Sequence, residues 1–337
     1  MFGTFRTLLA FAVVADHLGG VPGTGAYAVF GFYVLSGYLM TMILHETYGY
    51  SASGFVRYAL NRWLRIFPVY YVALGVSLVL VLVLGDEVSR TFHKSIGVPQ
   101  GAGDILRNAA LFLSFDTETR LVAPAWALTI ECVFYVLIGL GASRFYWGTI
   151  AWLGLSVAYS TYLFLGDAPW SYRYFTVAAA SLPFSLGAAV YHVRKRHFRM
   201  AMSDRSKNGM LAVVVGGICV NYALSAALEL TELMGIPFYI NLVLMALLIA
   251  NLASHRDAVL VDGSVDKRIG DMSYPVYLLH YQAGLIVWLA TPLERGDLRL
   301  FFASSVVVVL LAYVANRIVE NPINRIRNKL RPAGHVL

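Results

Sequence analysis

Apolar residues in this chain are grouped into runs of about 20, and short polar or charged segments separate the runs. The runs do not alternate with a period of two, so they predict helices rather than the strands of a membrane barrel. A helix of about 20 residues crosses the hydrocarbon core of a bilayer. We therefore predict an all-α, polytopic membrane helix bundle with about ten spans, at residues 4–20, 27–46, 65–84, 125–142, 147–165, 172–193, 210–228, 236–254, 269–290 and 298–317.

The composition supports this fold class. Apolar residues make up 58% of the 337 residues and charged residues only 13%, against roughly 45–50% and 25% in soluble proteins. Such a chain has too little polar surface to cover a soluble core, and we expect residues 1–337 to form a single membrane-embedded domain. Cys132 and Cys219 both lie in apolar runs, which predicts small core residues rather than a disulfide framework or metal cluster.

The net charge of the chain is +7, and its basic residues are distributed unevenly between the two predicted sides of the membrane. If the N-terminus is cytoplasmic, 19 of the 26 Lys and Arg residues fall on the inner side and 7 on the outer side. Cytoplasmic loops collect positive charge, so this bias predicts that both termini are inside and that the number of spans is even. The longest stretch between spans, 85–124, is then outside, and its apolar run 105–115 suggests a re-entrant or interfacial helix.

Ionisable residues inside the spans are few, and each is a candidate for function because burying it in lipid is costly. Arg6 and His17 are eleven residues apart, which places them on nearly the same helix face, about 16 Å apart along the axis. A cation at the inner end suits an anionic ligand, and a deeper histidine suits a general base. The alternative is a topology arginine and a hydrogen-bonded core histidine. Asp16 lies about 100° round the helix from His17, so we expect it to pair elsewhere.

Three other segments carry polar candidates. Arg62 and Arg65 are neighbours on one helix face and could bind lipid headgroups or the phosphates of a soluble cofactor. Glu131 could orient an imidazole, bind a sugar hydroxyl, or cap a neighbouring aromatic residue. Further polar or aromatic candidates are Trp126 and Tyr135, which share the helix of Glu131, and Tyr277 and His280, which are three residues apart.

The sequence does not predict a metal site, since no two histidines are spaced i, i+4 on a helix. His192 and His197 are five residues apart in what reads as a basic inner loop.

Six segments, taken in order, resemble the motifs of the acyltransferase-3 family of membrane O-acyltransferases. They are Arg6 with His17, 31–39 (GFYVLSGYL), 62–68 (RWLRIFP), 126–135 (WALTIECVFY), 273–280 (SYPVYLLH) and 319–322 (VENP). Two positions depart from the family pattern: Tyr33 replaces a phenylalanine and Ala127 a serine. Each motif is weak alone, but their order and spread along the whole chain are specific. The resemblance is to members without a fused extracytoplasmic SGNH esterase-like domain.

The resemblance implies transfer of an acyl group, commonly acetyl, from cytoplasmic acyl-CoA to a hydroxyl of an extracytoplasmic glycan or lipid-linked acceptor. It implies a multi-pass protein of the cytoplasmic (inner) membrane that acts alone, as a homo-oligomer or with a separate partner protein. Carried over residue by residue, the resemblance suggests His17 as catalytic base and Arg6, Arg62 and Arg65 as the acyl-CoA site. We add Glu131 as a second catalytic candidate, and as candidate substrate contacts Ser36, Trp126, Tyr135, Tyr277 and His280.

Two other functions remain compatible with the residues alone. A transporter or flippase-like carrier also needs buried ionisable groups and basic inner loops, although no inverted repeat is evident. A non-catalytic partner of a polysaccharide-synthesis complex would tolerate the loss of His17. Loss of acyl transfer on removal of His17 would separate the enzyme from both.

Overall fold

The computed structural model of the protein describes residues 2–111, 119–197, 203–228, 235–255 and 261–330. Within these ranges every regular element is a helix, as the apolar pattern predicts. The α-helices are α1 Gly3–Gly19, α2 Thr24–Ile43, α3 Ala52–Leu84, α4 Asp86–Phe92, α5 Gly101–Ala109, α6 Trp126–Gly139, α7 Tyr146–Leu165, α8 Trp170–Tyr174, α9 Val177–His197, α10 Asp204–Ala227, α11 Ile236–Leu252, α12 Gly263–Ala290, α13 Leu298–Ala315 and α14 Asn321–Lys329.

Each of the ten predicted spans overlaps one of the longer helices, although several boundaries differ; the span 172–193 begins in α8 and continues through most of α9. Among the described residues, six helical segments are long and apolar enough to cross a membrane: Thr24–Tyr48, Ala52–Leu84, Tyr146–Leu165, Trp170–Arg196, Asp204–Ala227 and Leu298–Lys329. Two shorter helices, Ala123–Gly139 and Ile236–Leu252, are also apolar. The protein is therefore a multi-pass membrane protein, while the number ten and the inward orientation of both termini stay predictions.

Helix α3 is longer than the apolar run that predicts it. It begins at Ala52 rather than near Arg65 and contains 33 residues, which corresponds to about 50 Å of helix. The hydrocarbon core is only about 30 Å thick, so a helix of this length extends beyond it. The helix continues through Arg57 and Arg62, which precede the predicted span, so Arg62 and Arg65 lie on one helix as their spacing predicts.

The chain divides into two compact units. The first contains the described parts of Met1–Thr4, Ala26–Tyr58 and Phe134–Arg268. Here α2 and α9 approach closely at two glycines: a Cβ on Gly37 would overlap the Phe184 carbonyl oxygen, and a Cβ on Gly187 would overlap the Val34 carbonyl oxygen. Aromatic rings fill the space beside this contact, with the Phe184 ring stacked 4.2 Å from that of Phe134.

The second unit contains the described parts of Phe5–Gly25, Ala59–Val133 and Ile269–Leu337. Its α12 hydrogen-bonds with three other parts of the unit. Tyr274 donates to the Ile66 carbonyl in α3 (2.9 Å), and Tyr277 donates to the Pro124 carbonyl just before α6 (2.9 Å). On the α1 side, Thr7 donates to the carbonyl of Ile269 (3.0 Å). Helix α12 therefore sets the positions of the polar side chains in this unit.

The stretch 85–124, which we predict to be outside, has its own structure where it is described. Asn108, at the end of α5, donates to the Thr119 carbonyl (3.0 Å) and accepts from the Leu121 amide (2.9 Å). Of the predicted apolar run 105–115, Ile105 and Leu106 lie on the exposed side of α5. Residues 112–118 lie outside the described ranges, as do Arg199, Arg256 and Arg331, three of the arginines counted on the inner side.

Two other expectations need correction. Cys132 is buried as predicted, but Cys219 is exposed, because α10 packs mainly against α11 and leaves most of its apolar surface open. His192 lies in α9 and not in a loop: it is buried, and its Nε2–H donates to the Ser143 carbonyl (2.9 Å). His45 donates to the same carbonyl (3.3 Å), so both histidines anchor the turn before α7.

Candidate active site

His17 lies in the last turn of α1, and both a following glycine and hydrogen bonds from a neighbouring loop define the end of this helix. Gly20 follows with a φ of 66°, a left-handed conformation that suits glycine after a helix. Arg295 donates to the carbonyl of His17 (3.2 Å), and the amide of Gly296 donates to the carbonyl of Leu18 (2.9 Å). A cation at this end also suits the helix dipole. The backbone that carries His17 is thus held from the loop between α12 and α13.

The His17 ring meets two rings of α12. Its Nδ1 lies 2.9 Å from Nε2 of His280, and its ring centroid is 5.0 Å from that of Tyr281 in a stacked arrangement. His280 is fully buried, and its Nδ1 lies 2.7 Å from the carbonyl oxygen of Tyr277. Both nitrogens of His280 are therefore engaged inside the protein, and its proposed contact with substrate stays a prediction.

Two residues of the 85–124 stretch pack beside the helix that carries His280 and Tyr281. The His93 ring lies 4.6 Å from Tyr281 between centroids, and Phe92 packs against Trp288 at 5.6 Å. Arg295 lies over the Phe92 ring at 5.5 Å. Burial, followed by the charges of Arg295 and Lys94, lowers the pKa of His93 to about 4, so His93 is neutral at pH 7. The surroundings of His17 are consequently aromatic, with the fixed cation of Arg295 beside them.

Glu131 lies on α6 within electrostatic reach of Tyr274 and Tyr277. The hydrogen bond at Nδ1 of His17 is made by His280 and not by this carboxylate. The role of Glu131 toward an acceptor hydroxyl stays a prediction. Trp126 begins the same helix, directly after the short 3₁₀ turn Ala123–Ala125.

The predicted arginines form a second group in the same unit. Arg65 makes an ion pair with Glu320, whose side chain is only 4% exposed, and its guanidinium lies over the Tyr274 ring at 5.7 Å. Arg6 and Arg62 are both within electrostatic reach of Arg65. The structure therefore brings together the three arginines that the sequence predicts for an anionic ligand. Glu320 is the partner that sequence reasoning missed, although the VENP motif contains it.

The other polar candidates from the sequence make their described contacts away from His17. Asp16 accepts from the amide of Gly25 in the first turn of α2 (3.0 Å), which confirms that it pairs away from His17. Ser36 and Tyr135 belong to the first unit, where the Tyr135 carbonyl accepts a hydrogen bond from Tyr58 (3.1 Å). Within the described residues, no group of three or more His, Cys, Asp or Glu side chains could hold a metal ion.

Comparison with known proteins places the chain in a family. The family model for the acyltransferase domain of type 3 matches residues 3–317, nearly the whole chain. No curated protein and no solved structure matches it. The match includes α1 with Arg6 and His17, α3 with Arg62 and Arg65, and α12 with His280. The chain therefore belongs to the acyltransferase-3 family and is a multi-pass membrane acyltransferase.

Proposed function

We propose that this protein transfers an acyl group, acetyl in the simplest case, from cytoplasmic acyl-CoA to a hydroxyl of an extracytoplasmic glycan or lipid-linked acceptor, with His17 as general base. The observation that carries the proposal is the position of His17, where a buried histidine from α12 bonds its ring and an arginine holds its backbone. A general base needs a fixed orientation, which these contacts provide, and a nitrogen with a near-neutral intrinsic pKa, which imidazole provides.

The arginines support the donor part of the proposal. Coenzyme A is a polyanion, and guanidinium groups bind phosphates with several parallel hydrogen bonds. Arg6, Arg62 and Arg65 form one electrostatic group, and Arg6 is about 16 Å along α1 from His17. Phosphates at the arginines and a thioester near His17 would suit a long, thin donor that enters beside α1. A guanidinium has five N–H donors, so the Glu320 carboxylate leaves others on Arg65 for an anion.

The proposed step is direct transfer in a ternary complex. His17 takes the proton of the acceptor hydroxyl while the oxygen attacks the thioester carbonyl carbon. The tetrahedral intermediate then collapses, the C–S bond breaks, and the leaving thiolate receives the proton from the His17 imidazolium. The products are an O-acyl ester and free CoA, and His17 returns to its neutral form.

The proposal is tested with purified protein in nanodiscs, labelled acetyl-CoA and a pool of glycan acceptors. We expect His17→Ala to bind the donor like wild type and to lose transfer by about 10²- to 10⁴-fold, the usual contribution of a general base. We expect Arg62→Ala and Arg65→Ala to weaken donor binding. Matched controls are His255→Ala, three residues after the end of α11, and Arg57→Ala, an exposed arginine on α3. Unchanged transfer in His17→Ala would refute the assignment of the base.

A covalent route is the alternative mechanism, with an acyl group held on His17 or Ser36 before transfer. Incubation with labelled donor alone, followed by denaturation and mass analysis, separates the two routes. Direct transfer predicts no labelled protein without acceptor. A labelled adduct that His17→Ala or Ser36→Ala abolishes would replace the direct step with a double displacement.

A further inference from the structure

The contacts of His280 determine where its own proton lies. Its Nδ1 is 2.7 Å from the carbonyl oxygen of Tyr277. A carbonyl oxygen only accepts, so His280 carries a hydrogen on Nδ1 and donates it to Tyr277. A second hydrogen on Nε2 would make the ring a cation. The side chain is fully buried, and an isolated charge there costs several kcal/mol, so the neutral ring with an unprotonated Nε2 is favoured.

The protonation of His280 in turn determines which nitrogen of His17 carries a hydrogen. Nε2 of His280 has a lone pair and no hydrogen, and it lies 2.9 Å from Nδ1 of His17. The hydrogen between them must therefore belong to His17. A neutral imidazole carries one hydrogen, so when Nδ1 of His17 holds it, the lone pair of that ring is on Nε2.

We propose that His280 is a positioning residue: through the Tyr277 carbonyl–His280–His17 chain it holds His17 in the Nδ1–H tautomer, so that Nε2 is the atom that takes the proton of the acceptor hydroxyl. The proposal rests on the proposed function, in which His17 is the base. As His17 becomes an imidazolium during attack, its Nδ1–H continues to donate to His280, and the chain stabilises the charge that forms. No proton leaves Nδ1, and the proton on Nε2 passes to the thiolate that leaves.

The same geometry explains why a histidine suits this position in α12. An imidazole can donate from one nitrogen and accept at the other, so it links the Tyr277 carbonyl to a second N–H. Phenylalanine would fill a similar space with neither function. Glutamine keeps a carbonyl oxygen that can accept from Nδ1–H of His17. These two replacements separate the hydrogen-bonding role of His280 from its packing role.

The first test reads the tautomer directly, without substrate. Wild-type protein with ¹⁵N-labelled histidine is measured in nanodiscs by solid-state NMR, and the His17 signals are assigned by their loss in His17→Gln. We expect a protonated Nδ1 and an unprotonated Nε2 on His17 at neutral pH. A hydrogen on Nε2 of His17 in the wild type would overturn the proposal. This measurement needs no variant of His280, so it stands even where such a variant fails to fold.

The second test uses the transfer assay. We expect His280→Phe to lower kcat by at least about 100-fold, as when the partner that fixes a catalytic imidazole tautomer is removed, with an unchanged KM for acyl-CoA. His280→Gln should recover most of the lost kcat, and His255→Phe serves as control. A wild-type kcat in His280→Phe, or equal loss in the glutamine and phenylalanine variants, would contradict the role.

The two tests also distinguish this inference from the proposed function. An Nδ1–H tautomer of His17 in a protein that transfers no acyl group would refute the function and leave the hydrogen-bond chain intact. Transfer that depends on His17 but proceeds with an Nε2–H tautomer would support the function and refute the role of His280.

Discussion

At the scale of single residues, Arg65 and Glu320 form an ion pair although they lie far apart in the sequence. Arg65 follows the basic start of α3, and Glu320 lies in the π-helical turn Asn316–Glu320 between α13 and α14. Their ion pair is buried, with the two side chains 15% and 4% exposed. In a buried pair, loss of one partner leaves an uncompensated charge, whereas loss of both does not. Glu320 therefore holds Arg65 in place.

This pair leads to a double-mutant prediction. We expect Glu320→Leu to destabilise the protein by about 3–5 kcal/mol, because it leaves the Arg65 guanidinium buried without its carboxylate. Arg65→Met combined with Glu320→Leu should recover a large part of that loss while abolishing the arginine's contribution to donor binding. Thermal unfolding in detergent and acetyl-CoA binding measure the two effects. If Glu320→Leu costs no more than the exposed control Arg57→Ala, the ion pair does not stabilise the fold.

At the scale of elements, close helix packing in the first unit depends on glycine. Gly37 is part of the GFYVLSGYL segment of α2, and Gly187 faces α2 from α9. Small residues at such positions let two helix backbones approach, which is how helices associate in membranes without a hydrophobic driving force. The segment's resemblance to a family motif thus has a packing explanation at Gly37, independent of any role for Ser36.

We expect Gly37→Val or Gly187→Val to destabilise the first unit by about 1–3 kcal/mol or more, because the added side chain overlaps backbone atoms that cannot move aside easily. Thermal unfolding monitored by circular dichroism measures the change. Gly154→Ala in α7 is the matched control, since nothing lies within 4 Å of a Cβ added there. Equal stability of Gly187→Val and Gly154→Ala would show that α2 and α9 do not pack as described.

At the scale of the whole molecule, the orientation in the membrane connects the two ends of the proposed reaction. The excess of inner Lys and Arg predicts that both termini face the cytoplasm. That orientation would place the 85–124 stretch, with His93 and Phe92, on the outer side together with the end of α1 that carries His17. The arginines proposed for the donor would then face the cytoplasm, and His17, the proposed base, would face the acceptor.

Cysteine labelling tests this orientation. In a background of Cys132→Ser and Cys219→Ser, single replacements Lys94→Cys, Arg268→Cys and Lys329→Cys are probed with a membrane-impermeant maleimide. We expect labelling of Lys94→Cys in right-side-out vesicles, and of the other two only after permeabilisation. The cysteine-free protein gives the background. Labelling of Lys329→Cys from outside would show that this end of the chain is extracytoplasmic. That result would contradict the predicted topology and the assignment of donor and acceptor sides.

The sequence by itself determined the helical membrane class, the approximate positions of the long apolar helices and the family, because run length, apolar spacing and motif order can be read along the chain. It also singled out His17 and the three arginines, since ionisable groups are conspicuous in apolar helices. Only the tertiary structure decided that His280 bonds the His17 ring and that Glu320 pairs with Arg65. Those contacts join residues far apart in the chain, and they depend on how helices pack, which a local pattern does not encode.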